Sequence, residues 1–442
     1  MTSRFMIAAP RSGSGKTVVT LGLLRALRRR DVPLAPYKAG PDYIDPAFHA
    51  AASGEACFNL DPWAMRRSLR ADMFLGAREG SVAVVEAMMG LFDGAADGTG
   101  SAGDLAAELG LPVVMVVDVS GMSHSIAPLV AGFQNFRADV TVAGVVLNKV
   151  GSARHEAMLR DALAALDVAV FGCLFKDADL ATPSRHLGLV QAAERSDLEQ
   201  FLDRAADAVE HGIDINALLT ATAREPASAK MLSGSGPAIP FAAQHLAIAQ
   251  DAAFSFLYPH LLQGWQEQGM TLSFFSPLAD EAPCGDCDGV FLPGGYPELW
   301  AGKLADNHRF LHGLRRVADR CFVYGECGGY MVLGDALVDA DGVSHAMAGL
   351  LPLETSFATR KLSLGYRRLA LLGQANVFGD QARTFCAHEF HYSVVLREDT
   401  GAHDVDRLFA CEDATGAVLP EAGLRRGKVM GSYMHLIDRR PA

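Results

Sequence analysis

The stretch that most constrains this chain is A-A-P-R-S-G-S-G-K-T-V-V-T, residues 8–20. Strand-like residues run into S-G-S-G-K-T, and a helical pattern comes at once after it. Glycines let backbone N–H groups turn inward on phosphate oxygens, and the helix N-terminus adds its partial positive charge. Ser12, Gly13, Ser14 and Gly15 form the loop, Lys16 is expected to reach the β- and γ-phosphates of ATP, and the Thr17 hydroxyl a Mg²⁺ ion. The strict pattern G-x-x-x-x-G-K-[ST] has glycine where this chain has Pro10.

The rest of the first half fits a parallel sheet. Short β-branched runs at 5–9, 82–86, 113–118 and 142–148 alternate with helical candidates at 16–30, 102–110, 125–136 and 153–167. Continuous apolar strands separated by helices indicate a sheet covered on both faces. A helix is expected over 203–224, and then E-P-A-S-A-K-M-L-S-G-S-G-P-A-I-P (225–240) loses all periodicity and reads as a linker. A second α/β pattern starts at L-A-I-A (246–249), with strand candidates at 271–275, 289–292, 321–324, 384–387 and 428–431. The expected organisation is therefore an α/β chain of two domains, 1–225 and 241–442, joined by 226–240. A length of 442 residues with half of them hydrophobic is enough for two cores.

Three segments of the first half bring polar side chains to strand ends. Y-K-A-G-P-D-Y-I-D-P (37–46) carries Lys38, Asp42, Tyr43 and Asp45; V-V-E-A-M-M-G-L-F-D-G (84–94) carries Glu86 and Asp93; V-L-N-K-V (146–150) carries Asn148 and Lys149. In open α/β sheets ligands sit at the carboxyl ends of strands. Carboxylates beside a triphosphate repel it unless a cation lies between, and Mg²⁺ with hard oxygen ligands suits the place. Thr17 and Glu86 are the first choices as ligands, with Asp45 or Asp42 as a third. Lys38 and Asn148 join the ATP-binding set.

The second half has a different chemistry in V-Y-G-E-C-G-G-Y-M, residues 323–331. A cysteine at a tight strand-to-helix turn among Gly325, Gly328 and Gly329 is a nucleophile elbow, and a helix N-terminus is expected to lower the thiol pKa. S-Y-M-H-L (432–436) ends a strand-like run with His435, a base about a hundred residues beyond Cys327. The strand V-F-L-P-G-G-Y-P-E (290–298) exposes the Gly294 and Gly295 amides, which with the Gly328 amide suit an oxyanion hole.

Bulk properties exclude other classes. A formal net charge of −12 argues against nucleic acid or an anionic membrane as partner. Eight scattered cysteines are too few for a disulfide framework, and no run approaches the length of a membrane span or a signal sequence. A cytoplasmic protein is expected. C-G-D-C (284–287) is C-x-x-C without a second pair, and reads first as a loop.

The P-G-G-Y-P-E, G-E-C-G-G-Y-M and S-Y-M-H segments resemble the class I glutamine amidotransferase domain, of flavodoxin-like fold, in its cobalamin-pathway branch. The first half resembles the dethiobiotin synthetase-like P-loop amidoligases. In this order, with A-x-D-x-A-F-x-F (249–256) and F-S-P-L (275–278), the chain looks like the corrin a,c-diamide synthases. The resemblance implies ATP- and L-glutamine-dependent amidation of the a and c acetate groups of cobyrinic or hydrogenobyrinic acid. It implies Cys327 as nucleophile, His435 as base, and substrate or intermediate handling by Asp42, Tyr43, Asp45 and Asp93. The alternative is the related cobyric acid synthases, which amidate other side chains. A homodimer is a further expectation. The usual glutamate two residues after the histidine is here Ile437, so Glu326 and Glu389 are the candidates to orient His435.

Overall fold

The computed structural model describes residues 2–180, 191–224, 236–373, 376–379, 382–401 and 404–440, with the two-residue strands 184–185 and 188–189. By contacts the described residues fall into two units, one taking in 2–63 and 67–224 and the other 64–66 and 236–440. Most of the expected 226–240 linker, through residue 235, lies outside the described residues.

The first unit alternates strand and helix: β1 (Thr2–Ala8), α1 (Lys16–Arg29), β2 (Leu34–Ala39), α2 (Asp45–Ser53), β3 (Phe58–Leu60), α3 (Arg67–Leu75), β4 (Val82–Glu86), α4 (Ala102–Leu109), β5 (Val113–Asp118), α5 (Ile126–Asn135), β6 (Val142–Val150), α6 (Ala153–Leu163) and β7 (Ala169–Phe175). The strands pair in the order β3-β2-β4-β1-β5-β6-β7, all parallel. Central strands such as V-V-M-V-V are buried throughout, as a sheet covered on both faces requires.

The helix expected over 203–224 is two helices, α7 (Leu198–Gly212) and α8 (Ile215–Ala221). The break has two causes. Ile213 is extended and bridges to Gly172, and the Asp214 carboxylate caps the new helix by accepting from the Ala217 amide at 2.9 Å.

The second unit holds β11 (His245–Ala249), α9 (Pro259–Glu267), β12 (Thr271–Phe275), β13 (Gly289–Leu292), α10 (Ala301–Asp306), α11 (His308–Ala318), β14 (Phe322–Glu326) and α12 (Gly328–Leu333); the labels β8–β10 belong to 184–185, 188–189 and Ala223–Arg224. Ten further strands complete it: β15 (Ala336–Val338), β16 (Ser344–Ala346), β17 (Leu353–Ser356), β18 (Ser363–Leu371), β19 (Thr384–His391), β20 (Val394–Glu398), β21 (Val405–Asp413), β22 (Val418–Arg426), β23 (Val429–Ser432) and β24 (Met434–Arg439). The main sheet runs β12-β11-β13-β14-β23-β22-β21-β18-β19-β24, parallel from β12 to β23 and antiparallel beyond. Phe241 lies at 5.2–5.7 Å from the rings of Trp265, Phe291, Phe322, Tyr324 and Phe378 in the core beneath it. Each such buried ring contributes about 1.5–3 kcal/mol.

One correction concerns the histidine. The strand V-M-G-S stops at Ser432, and His435 sits in the next strand, β24, opposite His388 of β19.

Helix α1 meets α7 at Gly22, where an added Cβ would lie 2.4 Å from the Ala205 carbonyl oxygen and 2.6 Å from Val209 Cγ2. Alanine gains about 1 kcal/mol over glycine in a helix, but overpacking against fixed backbone costs about 1–3 kcal/mol. Gly22→Ala is therefore expected to lower the thermal unfolding midpoint of this unit. A raised midpoint would show that α7 yields and propensity wins.

Candidate active sites

In the first unit the phosphate loop leaves β1 and enters α1 through two left-handed glycines, Gly13 (φ 76°) and Gly15 (φ 88°). Both conformations favour glycine. Gly15 has a second reason, because a Cβ there would fall 2.1 Å from the Asn148 amide nitrogen. That nitrogen donates to the Ser14 carbonyl at 2.8 Å, so β6 holds the loop from one side. Ser14 is buried and donates to the Arg11 carbonyl, while Ser12 and Gly13 are exposed at the crest. The first-turn N–H groups of α1 have no intrahelical acceptor and face this loop.

Parallel register brings the polar residues together. Lys38 of β2 pairs directly with Glu86, the last residue of β4, and Ile7 of β1 flanks Glu86 on its other side. Glu86 is buried and accepts from three elements: Thr17 Oγ1 at 2.8 Å, Lys38 Nζ at 2.8 Å and His49 Nε2 at 2.8 Å. Lys38 also donates to Asp45 at 2.5 Å, and His49 Nδ1 lies 3.4 Å from Cys57 Sγ. Burial opposes ionisation of Glu86, but Lys38 and His49 outweigh it and hold its pKa well below the usual range. Burial likewise opposes charge on Lys38 and His49, yet Asp45 and Glu86 keep the lysine pKa raised, and Glu86 brings His49 up to about 10. Asp45 is raised to about 7 by burial and by Asp42.

Lys16 donates to the Met89 carbonyl at 2.5 Å, in the loop after β4. Burial lowers its pKa, against the pull of Glu86. Asp93 holds that loop by accepting from the Gly90 amide at 2.8 Å, and Asp42 accepts from the Ile44 and Asp45 amides at the start of α2. Asp42 and Asp93 thus shape their loops, and Tyr43 is half-buried beside Asp42. Reading the sequence passed over His49. Its signal is the spacing D-P-A-F-H: Asp45 and His49 are i and i+4 on α2, which puts both on one helix face.

In the second unit Cys327 comes directly after β14 with φ 46° and ψ −104°, a conformation rarely taken by a non-glycine residue. The surrounding glycines are needed for space. A Cβ on Gly329 would lie 2.0 Å from the Leu292 carbonyl oxygen, and one on Gly328 2.8 Å from Pro297 Cδ and 3.1 Å from the Gly295 nitrogen. The Gly294–Gly295 turn lies against the histidine: a Cβ on Gly294 would fall 2.3 Å from His435 Cε1. The Cys327 amide donates to the Ser432 carbonyl at 2.8 Å, tying the elbow to β23. The P-G-G turn thus lies against His435 through Gly294 and against Gly328, the residue after Cys327, through Gly295.

The protonation states differ from the sequence expectation. Burial pushes the Cys327 thiol up, with Glu298 adding to it, and α12 spans only Gly328–Leu333. Burial outweighs that short helix. His435 is completely buried and held well below its ordinary pKa by burial and then by His388 and His391. Burial therefore favours the neutral thiol of Cys327 and the neutral imidazole of His435.

The two candidates to orient His435 separate clearly. Glu389 binds Arg367 at 2.6 and 2.8 Å and His391 at 3.1 Å. Glu326 has Oε2 3.9 Å from His435 Nδ1, and its Oε1 accepts from the Leu436 amide at 3.1 Å. Burial raises Glu326 to about 8, against the Leu436 and Tyr324 hydrogen bonds.

With both sites built, comparison with known proteins adds the family. Residues 5–190 match the CobQ/CobB/MinD/ParA nucleotide binding domain, and residues 245–441 the CobB/CobQ-like glutamine amidotransferase domain. The chain is 57% identical over 437 residues to hydrogenobyrinate a,c-diamide synthase of Brucella anthropi, covering 98% of each chain. It is 55% identical to the protein of that name from Rhizobium meliloti and 50% to that from Rhodobacter capsulatus, again with 98% of each chain covered. The chain belongs to the hydrogenobyrinate a,c-diamide synthase family.

Proposed function

We propose that this chain uses ATP and glutamine to amidate the a and c acetate carboxylates of hydrogenobyrinic acid, a step of cobalamin biosynthesis. The observation that carries the reading is that one chain of this family bears both halves of the chemistry: a Thr17–Glu86–Lys38 cluster at a phosphate loop, with Glu86 and Lys38 buried, and, in the second unit, an elbow cysteine and a histidine that burial keeps neutral. No helix among the described residues is long and apolar enough to cross a membrane, which accords with a cytoplasmic enzyme.

A carboxylate becomes an electrophile only when its oxygen is turned into a phosphate leaving group. In the first unit the substrate carboxylate attacks the γ-phosphate of ATP, giving an acyl phosphate and ADP; Lys16 carries charge of the transferring phosphoryl group. The glycine loop, Lys16 and Asn148 position the phosphates. Thr17 Oγ1 and Glu86 Oε1, 2.8 Å apart, are hard oxygen donors suited to Mg²⁺, with Asp45 as the third; Lys38 donates to both carboxylates, at 2.8 Å to Glu86 and 2.5 Å to Asp45. When bound, the ion supplies positive charge to the phosphate oxygens. Asp42, Tyr43 and Asp93 line the same loops and are assigned to substrate handling. In the second unit Cys327 attacks the glutamine amide as His435 takes the thiol proton, and the Gly294, Gly295 and Gly328 amides receive the oxyanion. The thioester forms as ammonia leaves with a proton returned by His435, and water then frees glutamate. Ammonia displaces phosphate from the acyl phosphate to give the amide.

Glu326 holds His435 from the Nδ1 side in this reading, a position reached from the strand before the nucleophile. The sign of its pH effect comes from its pKa. A carboxyl ordinarily near 4.5 and raised to about 8 in the fold stabilises the protonated state, so this unit loses stability as pH climbs through that interval. Glu326→Gln is expected to flatten the fall in unfolding midpoint between pH 5 and pH 8, and to cut glutaminase turnover by roughly 10²-fold or more. An unchanged profile with unchanged turnover would remove Glu326 from the role.

The nitrogen source separates the two sites. Cys327→Ala is expected to abolish glutamine-dependent amidation, measured as mass gain of the corrin, and to leave ammonia-dependent amidation largely intact. Lys16→Met is expected to stop amidation from either source. Loss of both routes in Cys327→Ala would make that cysteine structural.

A further inference from the structure

The C-G-D-C loop is unused by either site, and in the fold it is not an isolated loop. Cys284 and Asp286 meet His245, the first residue of β11, with one ligand atom from each lying within 4.8 Å of the other two. We propose that His245, Cys284 and Asp286 form a binding site for a divalent zinc-like ion, with water as the fourth ligand.

Several observations carry this. Cys284 Sγ is 3.5 Å from His245 Nε2. Zn–S and Zn–N bonds of about 2.3 and 2.0–2.1 Å at a tetrahedral angle place those two atoms about 3.6 Å apart, so this pair already has the required edge. Asp286 Oδ1 lies 3.8 Å from Nδ1, the ring nitrogen that an ion beside Cys284 would leave free, so the exposed carboxylate has to turn toward Nε2 to supply the third, oxygen donor; the three groups are already within 4.8 Å of one another. Nitrogen, sulfur and a single carboxylate favour a borderline-soft tetrahedral ion over Mg²⁺.

The surroundings suit an ion as well. Ser273 of β12 hydrogen-bonds both His245 Nε2 at 2.9 Å and Cys284 Sγ at 3.2 Å, and an ion on Nε2 takes the place of the first of these bonds. When the ion displaces the thiol proton, that hydroxyl is placed to donate to the thiolate, as outer-shell groups of metal sites do. A cavity of about 280 Å³ lined by Ser273, Glu281, Cys284 and Arg309 gives access. The second cysteine of the motif takes no part: Cys287 is buried and its Sγ donates to the Cys284 carbonyl at 3.1 Å. His245 opens its strand, whereas Cys327 lies just past the end of β14, so the proposed site lies at the opposite edge of the sheet from the nucleophile. The ion would pin the 284–287 loop to β11 and take no part in glutamine hydrolysis.

The full-length protein, stripped with chelator, is titrated with Zn²⁺ against a chromophoric competitor, and then with Co²⁺ to read the thiolate-to-cobalt charge-transfer band. One tight equivalent per chain with that band is expected. Cys284→Ser is expected to lose the band and at least tenfold in affinity, and His245→Gln to weaken binding similarly. Cys287→Ser is expected to keep both, and glutaminase activity, unchanged in all three, reports that each variant is folded. No tight equivalent in the wild-type protein, binding unaltered by Cys284→Ser, or a band lost with Cys287→Ser would each overturn the proposal.

Discussion

The buried carboxylate of Glu86 is the interaction on which the first site depends. Taking an unpaired anion out of water costs several kcal/mol, and breaking one partner of a buried ion pair costs about 3–5 kcal/mol. Glu86 avoids this by accepting from Thr17 on α1, Lys38 on β2 and His49 on α2. Three elements are therefore held to the end of β4 by one charge. The phosphate loop takes its position from the same arrangement, because Thr17 and Lys16 begin the helix that Glu86 anchors, and Asn148 closes the loop from β6.

In the second unit burial governs chemistry by the opposite route. It is the largest influence on both Cys327 and His435, and it drives both toward their neutral forms. A thiol kept protonated and buried is protected from oxidation, and a neutral imidazole keeps a nitrogen free to accept a proton. Backbone geometry supplies the remainder. The positive φ of Cys327 lifts the thiol out of the strand, and Gly294, Gly328 and Gly329 clear the space around it.

Much of this is legible in the sequence because parallel sheets write their sites at strand ends. Strand 82–86 ends at Glu86 and 113–118 at Asp118 in both sequence and structure, and the segments carrying Lys38 and Asn148 obey the same rule. The hidden parts depend on contacts between distant segments. His49 sits among alanines in a helix, and only the fold shows that it faces Glu86. The antiparallel half of the second sheet, β18 to β22, alternates weakly and carries bulges, as at Phe409/Cys411, so its strands are mostly unmarked. The choice between Glu326 and Glu389 turns on Arg367, a residue with no sequence signal tying it to Glu389 until β18 and β19 are seen to pair. The thiol pKa departs from expectation for a related reason: a motif gives the helix after Cys327, whereas burial depends on everything packed around it.

The central claim is that the carboxylate is activated by phosphorylation in one unit before nitrogen from the other reaches it. Its most direct test uses hydrogenobyrinic acid labelled with ¹⁸O in its a and c carboxylates, turned over with ATP and glutamine, with the released phosphate read by ³¹P NMR. An acyl phosphate requires one ¹⁸O in each phosphate for every amide formed. Amide formation accompanied by unlabelled phosphate would contradict it.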